Sequence, residues 1–318
     1  MNILITSVGR RTKLIEYFKK EFTNVVVTDS SIYAPAIYVA DKYYIVPPIT
    51  DKNYMETIKK ICLENKISGI LSLIDPELEL LSKHKEEFES IGIKIIGSSA
   101  NVCEICFDKW KMYKFLQENN IKTAKTYNDL ETFINDLERT KIAFPVILKP
   151  ATGSASIGVQ KINNLETLKY FWKQTENYII QEFLDGQEIG CDVYTDLISK
   201  KVVSIFTKNK LNMRAGETDK AISFKNINLF NLVQDFVNKL GTKGPIDIDI
   251  FKVNSEYYIS EVNPRFGGGY LIAYECGENF PKFIKNNLEN IENKENIGNY
   301  RENICMLKCD DLKIIKIK

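Results

Sequence analysis

Residues 261–265 read Glu-Val-Asn-Pro-Arg, and they close the short apolar run Tyr257-Tyr258-Ile259-Ser260. The alternating stretch Ile246-Asp247-Ile248-Asp249-Ile250, earlier in the chain, is typical of a half-buried strand. The polar turn Asn254-Ser255-Glu256 separates these two runs, so the sequence predicts a β-hairpin here. This hairpin guides the interpretation of the rest of the chain, because it sets polar side chains at regular two-residue intervals.

One face of the predicted hairpin is rich in oxygen ligands. Because strand side chains alternate with period two, Asp249, Glu261 and Asn263 are expected on the same face. Two carboxylates and an amide oxygen are ligands that a hard cation such as Mg²⁺ accepts, with phosphate oxygens supplying the rest. Arg265 lies one period further on, where its planar guanidinium would reach the phosphates. The hairpin therefore predicts a nucleoside-triphosphate site.

The length and composition limit the classes of partner. A chain of 318 residues is long enough for two or three packed subdomains. It is 44% hydrophobic and 27% charged with a formal net charge of +1, so it shows no electrostatic footprint for nucleic acid. No apolar run approaches the roughly 20 residues that a membrane span requires. The strand pattern of Met1–Thr6 has no basic segment before it, which argues against a signal peptide.

The cysteine and histidine content argues against several kinds of site. Seven cysteines, an odd number, are scattered through the chain, which suits a reduced, cytoplasmic protein. Cys103-x-x-Cys106 looks like half a zinc knuckle, but Cys305 and Cys309 have the wrong spacing to complete it. Two half-buried thiols at a helix start are the better interpretation. The single histidine, His84, lies in the polar part of a helical pattern, so histidine-based nucleophilic machinery is not expected.

The first hundred residues alternate short apolar strands with helical patterns. Such alternation indicates an open, mainly parallel sheet, whose ligands collect at the carboxyl ends of the strands. The predicted strands are 3–6, 25–28, 43–46, 69–73 and 94–96, and the predicted helices are 12–21, 54–65 and 77–90.

Polar residues follow the ends of these strands. The loop Ser7–Arg11 contains no G-x-G-x-x-G fingerprint, which argues against a dinucleotide-dependent dehydrogenase. Arg10 and Arg11, at a helix start, would hold an anionic substrate group or else cap a surface loop. Glu77 follows another strand end. We expect it to line the same substrate pocket as Arg10 and Arg11.

The sequence predicts a buried strand over Pro145–Pro150, with Lys149 near its end. The segment that follows, Ala151–Val159, is rich in small residues, which let a backbone wrap closely around phosphates. The spacing of Gly153 and Gly158 matches a Walker loop superficially, but the required Lys-Ser/Thr pair is missing after the second glycine. The alternative to phosphate binding is a flexible β-turn.

A further strand, Tyr178–Phe183, runs into the sequence Gln181-Glu182-Phe183-Leu184. A strand edge offers backbone groups with which an adenine edge can pair, while apolar side chains sandwich the ring. The carboxylate of Glu188, just beyond, would accept ribose hydroxyls. Taken separately, these are ordinary strand and turn residues.

The order of these features is more specific than any one of them. A lysine-bearing strand, a glycine-rich loop, a strand ending in Glu-Phe-Leu and an acid–acid–Asn–Arg hairpin together resemble the ATP-grasp superfamily, over approximately residues 1–285. The nearest-looking members are the carbamoyl-phosphate-synthase-like carboxylate–amine ligases and the pyrrolysine-pathway ligase type. The resemblance implies an α/β fold with an N-terminal open parallel sheet, the pre-ATP-grasp, Rossmann-like domain, over 1–100. A two-lobed α+β ATP-grasp domain over 101–318 would follow, with lobes at about 122–182 and about 183–318.

The resemblance also implies roles for individual residues in binding ATP and Mg²⁺. Mn²⁺ would be able to take the place of Mg²⁺. Arg265, Lys149 and Arg214 would act in catalysis. Asp247 lies on the same strand face as Asp249, so which of the two is the first metal ligand stays open. The implied metal ligands are Asp249, Glu261 and Asn263. The implied nucleotide-binding residues are Lys109, Lys149, Gly153, Ser154, Gly158, Glu182, Phe183, Leu184 and Glu188.

Two further segments would serve the acceptor or the acyl phosphate. Arg214 lies in a polar loop where the family has a substrate-side arginine or lysine. Gly267–Gly269 offers three backbone amides that would form a nest for an oxyanion, or else a tight turn that needs positive φ. With the strand-end residues, the predicted acceptor set is Arg10, Arg11, Glu77, Arg214, Gly267, Gly268 and Gly269.

The implied reaction is the ADP-forming ligation of a small carboxylate to an amine, through an acyl phosphate. The alternatives are carboxyphosphate formation from bicarbonate, phosphorylation without ligation, and a non-catalytic ATP-binding protein. The complete set of metal ligands argues against the last of these. The sequence names neither the carboxylate nor the nucleophile, and it leaves open whether the chain forms a homodimer.

Overall fold

The computed structural model describes residues 1–153 and 157–316, in which three β-sheets follow one another along the chain. The first sheet is parallel, and the second and third are antiparallel. The predicted α/β class with an N-terminal open parallel sheet is therefore confirmed. None of the helices in the described part of the chain combines the length and apolar character needed to span a bilayer.

The five-stranded sheet has the order β3-β2-β1-β4-β5. Its alternating strand residues separate two cores: Ile3 and Ile5 face the large central core, and Leu4 faces a smaller one. The helix predicted over 77–90 is interrupted at His84, whose ψ of 10° departs from helical geometry. The elements are β1 Asn2–Thr6, α1 Thr12–Lys19, β2 Asn24–Asp29, a 3₁₀ turn Pro35–Tyr38, β3 Lys42–Ile45, α2 Tyr54–Glu64, β4 Ile67–Ser72, α3 Asp75–Lys83, α4 Lys85–Ser90 and β5 Lys94–Ile95.

The four-stranded sheet has the order β6-β9-β7-β8 and its own apolar core, which contains Phe133, Leu148 and Leu168. Asp108 caps the helix before this sheet by accepting hydrogen bonds from the backbone N–H groups of Trp110 and Lys111. The elements are α5 Ala100–Phe107, α6 Lys109–Glu118, β6 Thr126–Tyr127, α7 Leu130–Glu138, β7 Val146–Pro150, β8 Gln160–Ile162, α8 Leu165–Trp172 and β9 Tyr178–Glu182.

The six-stranded sheet has the order β14-β13-β10-β11-β12-β15. The predicted hairpin is confirmed, because β13 and β14 pair antiparallel around the turn at Asn254 and Ser255. The elements are β10 Gln187–Thr195, β11 Val202–Arg214, β12 Glu217–Phe224, α9 Ile227–Leu240, β13 Gly244–Val253, β14 Glu256–Asn263, α10 Tyr270–Cys276, α11 Phe280–Leu288 and β15 Cys305–Leu307.

The first and third sheets share the large core. Ile3 and Val25 from the first sheet belong to the same cluster of buried side chains as Val193 and Ile248 from the third. The second sheet keeps a separate core. The sheet boundaries support the division into 1–100 and 101–318, with lobes at about 122–182 and about 183–318, which stays a proposal.

Candidate active site

Two neighbouring cavities share part of their lining. The first has a volume of about 410 Å³ and is lined by Asp75 at the start of α3, by Lys149 of the second sheet and by Glu261 of the third. The second, of about 720 Å³, lies between the start of α1, the β11–β12 hairpin and the segment after β15. The residues that line both cavities, and so form their common wall, are Arg11, Glu217, Thr218 and Gly268.

The hairpin presents four oxygen-bearing side chains to the first cavity. Asp249 pairs across the hairpin with Glu261, and Asp247 pairs with Asn263, so the register sets all four on one face. Within residues 1–153 and 157–316, the Glu261 carboxylate makes no hydrogen bond or ion pair. No group of three or more His, Cys, Asp or Glu side chains in the described residues is arranged to hold a metal ion.

The donor chemistry of this face fits Mg²⁺ or Mn²⁺. The available ligands are all oxygens, and the Glu261 carboxylate has no internal counter-ion among the described residues. A cation here would be held by Glu261, Asn263 and either Asp249 or Asp247. Burial and the neighbouring Asp249 carboxylate raise the pKa of Asp247 to about 7. The choice between the two aspartates stays a proposal.

Lys210 neutralises Asp249 and was missed by sequence reasoning. Its ammonium lies 2.5 Å from Asp249 Oδ1 and 2.8 Å from Glu188 Oε1, and only 4% of its side chain is exposed. Burial by itself would lower the pKa of Lys210, but the Asp249 and Glu188 carboxylates raise it well above its ordinary range. The sequence signal was two lysines, Lys208 and Lys210, one strand period apart, directly after the mainly apolar run 202–207.

Arg265 reaches the first cavity with its orientation already set. Its Nε and Nη2 atoms donate to Asp75 Oδ2 at 3.1 and 2.9 Å, and Nη2 also donates to Asn263 Oδ1 at 3.1 Å. Burial would lower the pKa of Arg265, and Asp75 raises it. Asp75, which sequence reasoning also missed, thus ties the first sheet to the hairpin that carries Arg265.

The assignment of Glu77 to the acceptor pocket is wrong. Its side chain is fully buried and lines neither cavity. The carboxylate accepts hydrogen bonds from Ser7 at 2.7 Å, from Ser72 at 2.6 Å and from Tyr54. Glu77 therefore joins the ends of β1 and β4 to α2, and Asp75, two residues earlier, is the acid that lines the cavity.

The two predicted phosphate lysines both line the first cavity. Burial lowers the pKa of Lys149 to about 8, with Glu261 opposing this shift and Lys109 adding to it. Lys109 donates through its ammonium to the Gly153 carbonyl at 2.8 Å. Ser154, predicted to bind phosphate, lies outside the described residues. At Gly158 φ is +75°, and an added Cβ would lie 2.7 Å from the Tyr178 hydroxyl, so both space and backbone conformation require glycine there.

The predicted adenine hinge also lines the first cavity. Glu182, Phe183, Leu184 and Glu188 all line it. The Glu182 N–H already donates to the Lys125 carbonyl at 2.8 Å, so an adenine would have to use other backbone groups of the hinge.

The glycines after Arg265 do not form the predicted nest or positive-φ turn. None of the three has positive φ, so the left-handed residue that such a nest requires is missing. Instead the segment lies close over charged side chains: a Cβ on Gly268 would lie 2.9 Å from Glu217 Cδ, and one on Gly269 would lie 2.6 Å from Lys208 Cε. Gly267 and Gly268 line the second cavity, whereas Gly269 packs against Lys208 and lines neither.

The predicted arginines lie around the second cavity, and Arg214 lies away from the first. Arg11 pairs with Glu217 at 3.4 Å, and Lys308, after β15, pairs with the same carboxylate at 3.4 Å. Arg214 makes two hydrogen bonds to Asp310 at 3.1 and 3.2 Å, and 63% of its side chain is exposed. Arg214 thus lies at the outer rim of the second cavity, at the end of β11, and its role in catalysis stays a prediction.

The chain is similar in sequence to two known families of domains and to several known proteins. Residues 3–96 match the model of the PylC-like N-terminal domain, and residues 106–269, just over half of the chain, match the model of the ATP-grasp domain. A carbamoyl-phosphate synthase of Methanobrevibacter smithii is 27% identical over 285 residues, covering 83% of this chain and 74% of that protein. A D-alanine–D-alanine ligase of Francisella philomiragia is 24% identical over 248 residues, covering 68% of this chain and 80% of that protein.

Solved structures share the fold. The biotin carboxylase domain of Hydrogenobacter thermophilus 2-oxoglutarate carboxylase, solved with MgADP and bicarbonate, superposes with a TM-score of 0.77 at 16% identity. That match covers 95% of this chain and 73% of the other. The L-amino acid ligase from Bacillus licheniformis gives a TM-score of 0.71 at 19% identity, covering 92% of this chain and 75% of the other. The ATP-grasp fold of the chain is thus confirmed.

Proposed function

This chain belongs to the ATP-grasp superfamily of ATP- and Mg²⁺-dependent carboxylate–amine ligases, and we propose that its two cavities divide this reaction between nucleotide and acceptor. One observation carries the proposal. A single cavity collects two lysines, the hinge, the hairpin acids and a fixed arginine from helix α6 and from the second and third sheets. A polyphosphate and a divalent cation need this combination of charges.

The first cavity would hold ATP. Lys109 and Lys149 would contact the phosphates, the backbone of 182–184 would pair with adenine, and Glu188 would accept ribose hydroxyls. Gly153 and Gly158 flank the segment that would cover the phosphates. The proposal for Ser154 rests on the sequence alone.

The hairpin would hold the metal ion close to the transferred phosphate. Glu261, Asn263 and Asp249, or Asp247 in its place, would be the ligands. When bound, the ion offsets the negative charge of the phosphates and of the attacking carboxylate. Arg265, held in plane by Asp75, would bind the γ-phosphate beside it, and positioning with charge neutralisation would supply most of the rate enhancement.

The second cavity would hold the acceptor, and its common wall with the first would be the place of reaction. A substrate carboxylate oxygen attacks the γ-phosphorus, and the bond to ADP breaks. An amine then attacks the acyl carbon, phosphate leaves with the carboxylate oxygen, and the amine loses a proton. Arg10 and Arg11 would bind the acceptor's anionic group. The partners would thus be a small carboxylate and a small amine.

Two further properties concern the location and the assembly of the chain. The seven cysteines are all free thiols, which supports a reducing, cytoplasmic location. A homodimer is also proposed, and light scattering on the purified chain would measure its mass.

An ADP-release screen tests the proposed function. Amino acids and small carboxylates are offered singly, in pairs with amines, and with hydroxylamine, which traps an acyl phosphate as a hydroxamate. We expect ADP release that requires a carboxylate, and a hydroxamate of that carboxylate. ADP release that needs only bicarbonate would instead favour carboxyphosphate formation. The absence of ATP binding would contradict a nucleotide site altogether.

A further inference from the structure

Two lysine side chains of β11 cross the neighbouring strand β10 at Gly190. Gly190 pairs with Lys208 on one side and with Asp249 on the other. A Cβ built on Gly190 would lie 2.8 Å from Lys208 Cε and 3.2 Å from Lys210 Cε. The missing side chain therefore leaves a passage in which both lysine stems lie flat against the sheet. Through it Lys208 reaches Asp192, and Lys210 reaches Asp249 on the strand beyond.

Lys210 joins acids that belong to two different subsites. Glu188 precedes the passage on β10, on the side of the adenine hinge, and Asp249 lies on the hairpin. The side chains of Glu188 and Asp249 are 29% and 21% exposed and line the first cavity, while Lys210 lies buried between them. A buried ammonium is stable only when carboxylates compensate it, so Lys210 and the two acids form one electrostatic unit.

We propose that Lys210 is a positioning residue that couples the nucleotide subsite to the metal subsite. In the ligand-free chain it neutralises Asp249 and Glu188, which lets a polyphosphate enter a cavity lined by carboxylates. A divalent cation that arrives at Asp249 competes with the Lys210 ammonium for the same oxygen atoms. Lys210 therefore favours nucleotide binding without metal and opposes metal binding without nucleotide. This inference rests on the proposed function, with Glu188 at the ribose and with Asp249, rather than Asp247, as the first ligand of the cation.

Two binding measurements on the full chain test the coupling. Titration calorimetry follows Mn²⁺ without nucleotide, and ADP in the presence of EDTA. Lys210→Met should tighten Mn²⁺ binding about 5-fold and weaken metal-free ADP binding about 10-fold, because two carboxylates lose their counter-ion. Lys252→Met, an exposed lysine on the same strand as Asp249, serves as the matched control and should change neither affinity.

The opposite signs separate coupling from a merely structural role. Damage to the fold would weaken both ligands together, and that result would overturn the inference. Gly190→Ala should act in the same direction as Lys210→Met with a smaller effect, since its Cβ obstructs the passage. Thermal unfolding of each variant, measured alongside, reports whether the chain is folded.

Glu188→Gln keeps the inference testable if Lys210→Met does not fold. It leaves the ammonium to Asp249 alone, so Mn²⁺ binding without nucleotide should weaken about 3-fold. Unchanged or tighter Mn²⁺ binding by this variant would contradict the coupling. If the unaltered chain binds neither Mn²⁺ nor ADP, the proposed function itself fails. If it binds both and Lys210→Met shifts them in the same direction, or not at all, only the present inference fails.

Discussion

The two cavities share a wall, yet their charges are held in different ways. In the first cavity Lys149 and Arg265 are only 7% and 9% exposed, and the acids lie on two paired strands. In the second, the Arg214–Asp310 pair is 63% and 79% exposed. Buried charges interact strongly, whereas an exposed ion pair contributes little. The charged side chains of the first cavity are therefore held in position before the ligand binds. The exposed side chains at the rim of the second cavity can rearrange when the acceptor binds.

The largest expected effect concerns Glu261, the acid of the first cavity whose carboxylate makes no hydrogen bond or ion pair among the described residues. Glu261→Gln should lower the rate of ADP release by about 100-fold, because a ligand of the cation is lost while the phosphates stay in place. The unfolding temperature should change little, since the Glu261 carboxylate makes no hydrogen bond or ion pair among the described residues that the variant would remove. Glu256→Gln, an exposed acid on the same strand, is the control. Full activity in folded Glu261→Gln would contradict the metal assignment.

A second expected effect concerns the residue that holds Arg265. Asp75→Asn removes the charge that receives two hydrogen bonds from the guanidinium and should slow ADP release about 30-fold. ADP binding itself should change little, because the hinge and Lys149 are untouched. Glu79→Gln, in the same helix but paired at the surface with Lys83, is the matched control. An equal loss of ADP-release rate in Asp75→Asn and Glu79→Gln would show that Asp75 contributes only to the stability of the fold.

The pH dependence of ATP binding should follow Lys149. Burial lowers the pKa of Lys149 to about 8, so its ammonium is lost as the pH rises through that value. A neutral amine no longer attracts phosphate, and ATP affinity should fall about 10-fold between pH 7 and pH 10. Lys149→Arg, which stays charged, should flatten this dependence, and Lys169→Met, an exposed lysine, should leave it unchanged. A curve that is flat for the unaltered chain would remove Lys149 from the phosphate site.

The smallest effect is expected at the rim of the second cavity. Arg214→Ala breaks an exposed pair with Asp310 and should change ADP release by less than about 2-fold, with ATP affinity unaltered. A large loss of turnover would support the predicted catalytic role of Arg214 and weaken the contrast between the two cavities.

The sequence predicted most of the first cavity correctly, because the strands that line it follow the two-residue alternation of side chains. Alternation along β13 and β14 was enough to place Asp249, Glu261 and Asn263 on one face, and the register of the hairpin agrees. The order of lysine strand, glycine segment and hinge then identified the superfamily. The parallel N-terminal sheet followed from strand–helix alternation in the same way.

The sequence failed where a contact joins distant parts of the chain. Arg265 meets Asp75 across 190 positions and Lys210 meets Asp249 across 39, and no spacing rule connects such pairs. Asp75 and Glu77 both lie in the first turn of α3, where two positions differ by more than half a turn. Only the packing of the helix decides which one faces the cavity.

The fate of oxygen from the substrate tests the central claim most directly. A carboxylate accepted in the screen is labelled with ¹⁸O in both carboxyl oxygens, and the phosphate released during ligation is analysed by mass spectrometry. An acyl phosphate formed between the two cavities predicts one ¹⁸O atom in each phosphate, because the carboxylate oxygen leaves with it. Unlabelled phosphate from a chain that still makes the ligated product would contradict carboxylate activation at this site.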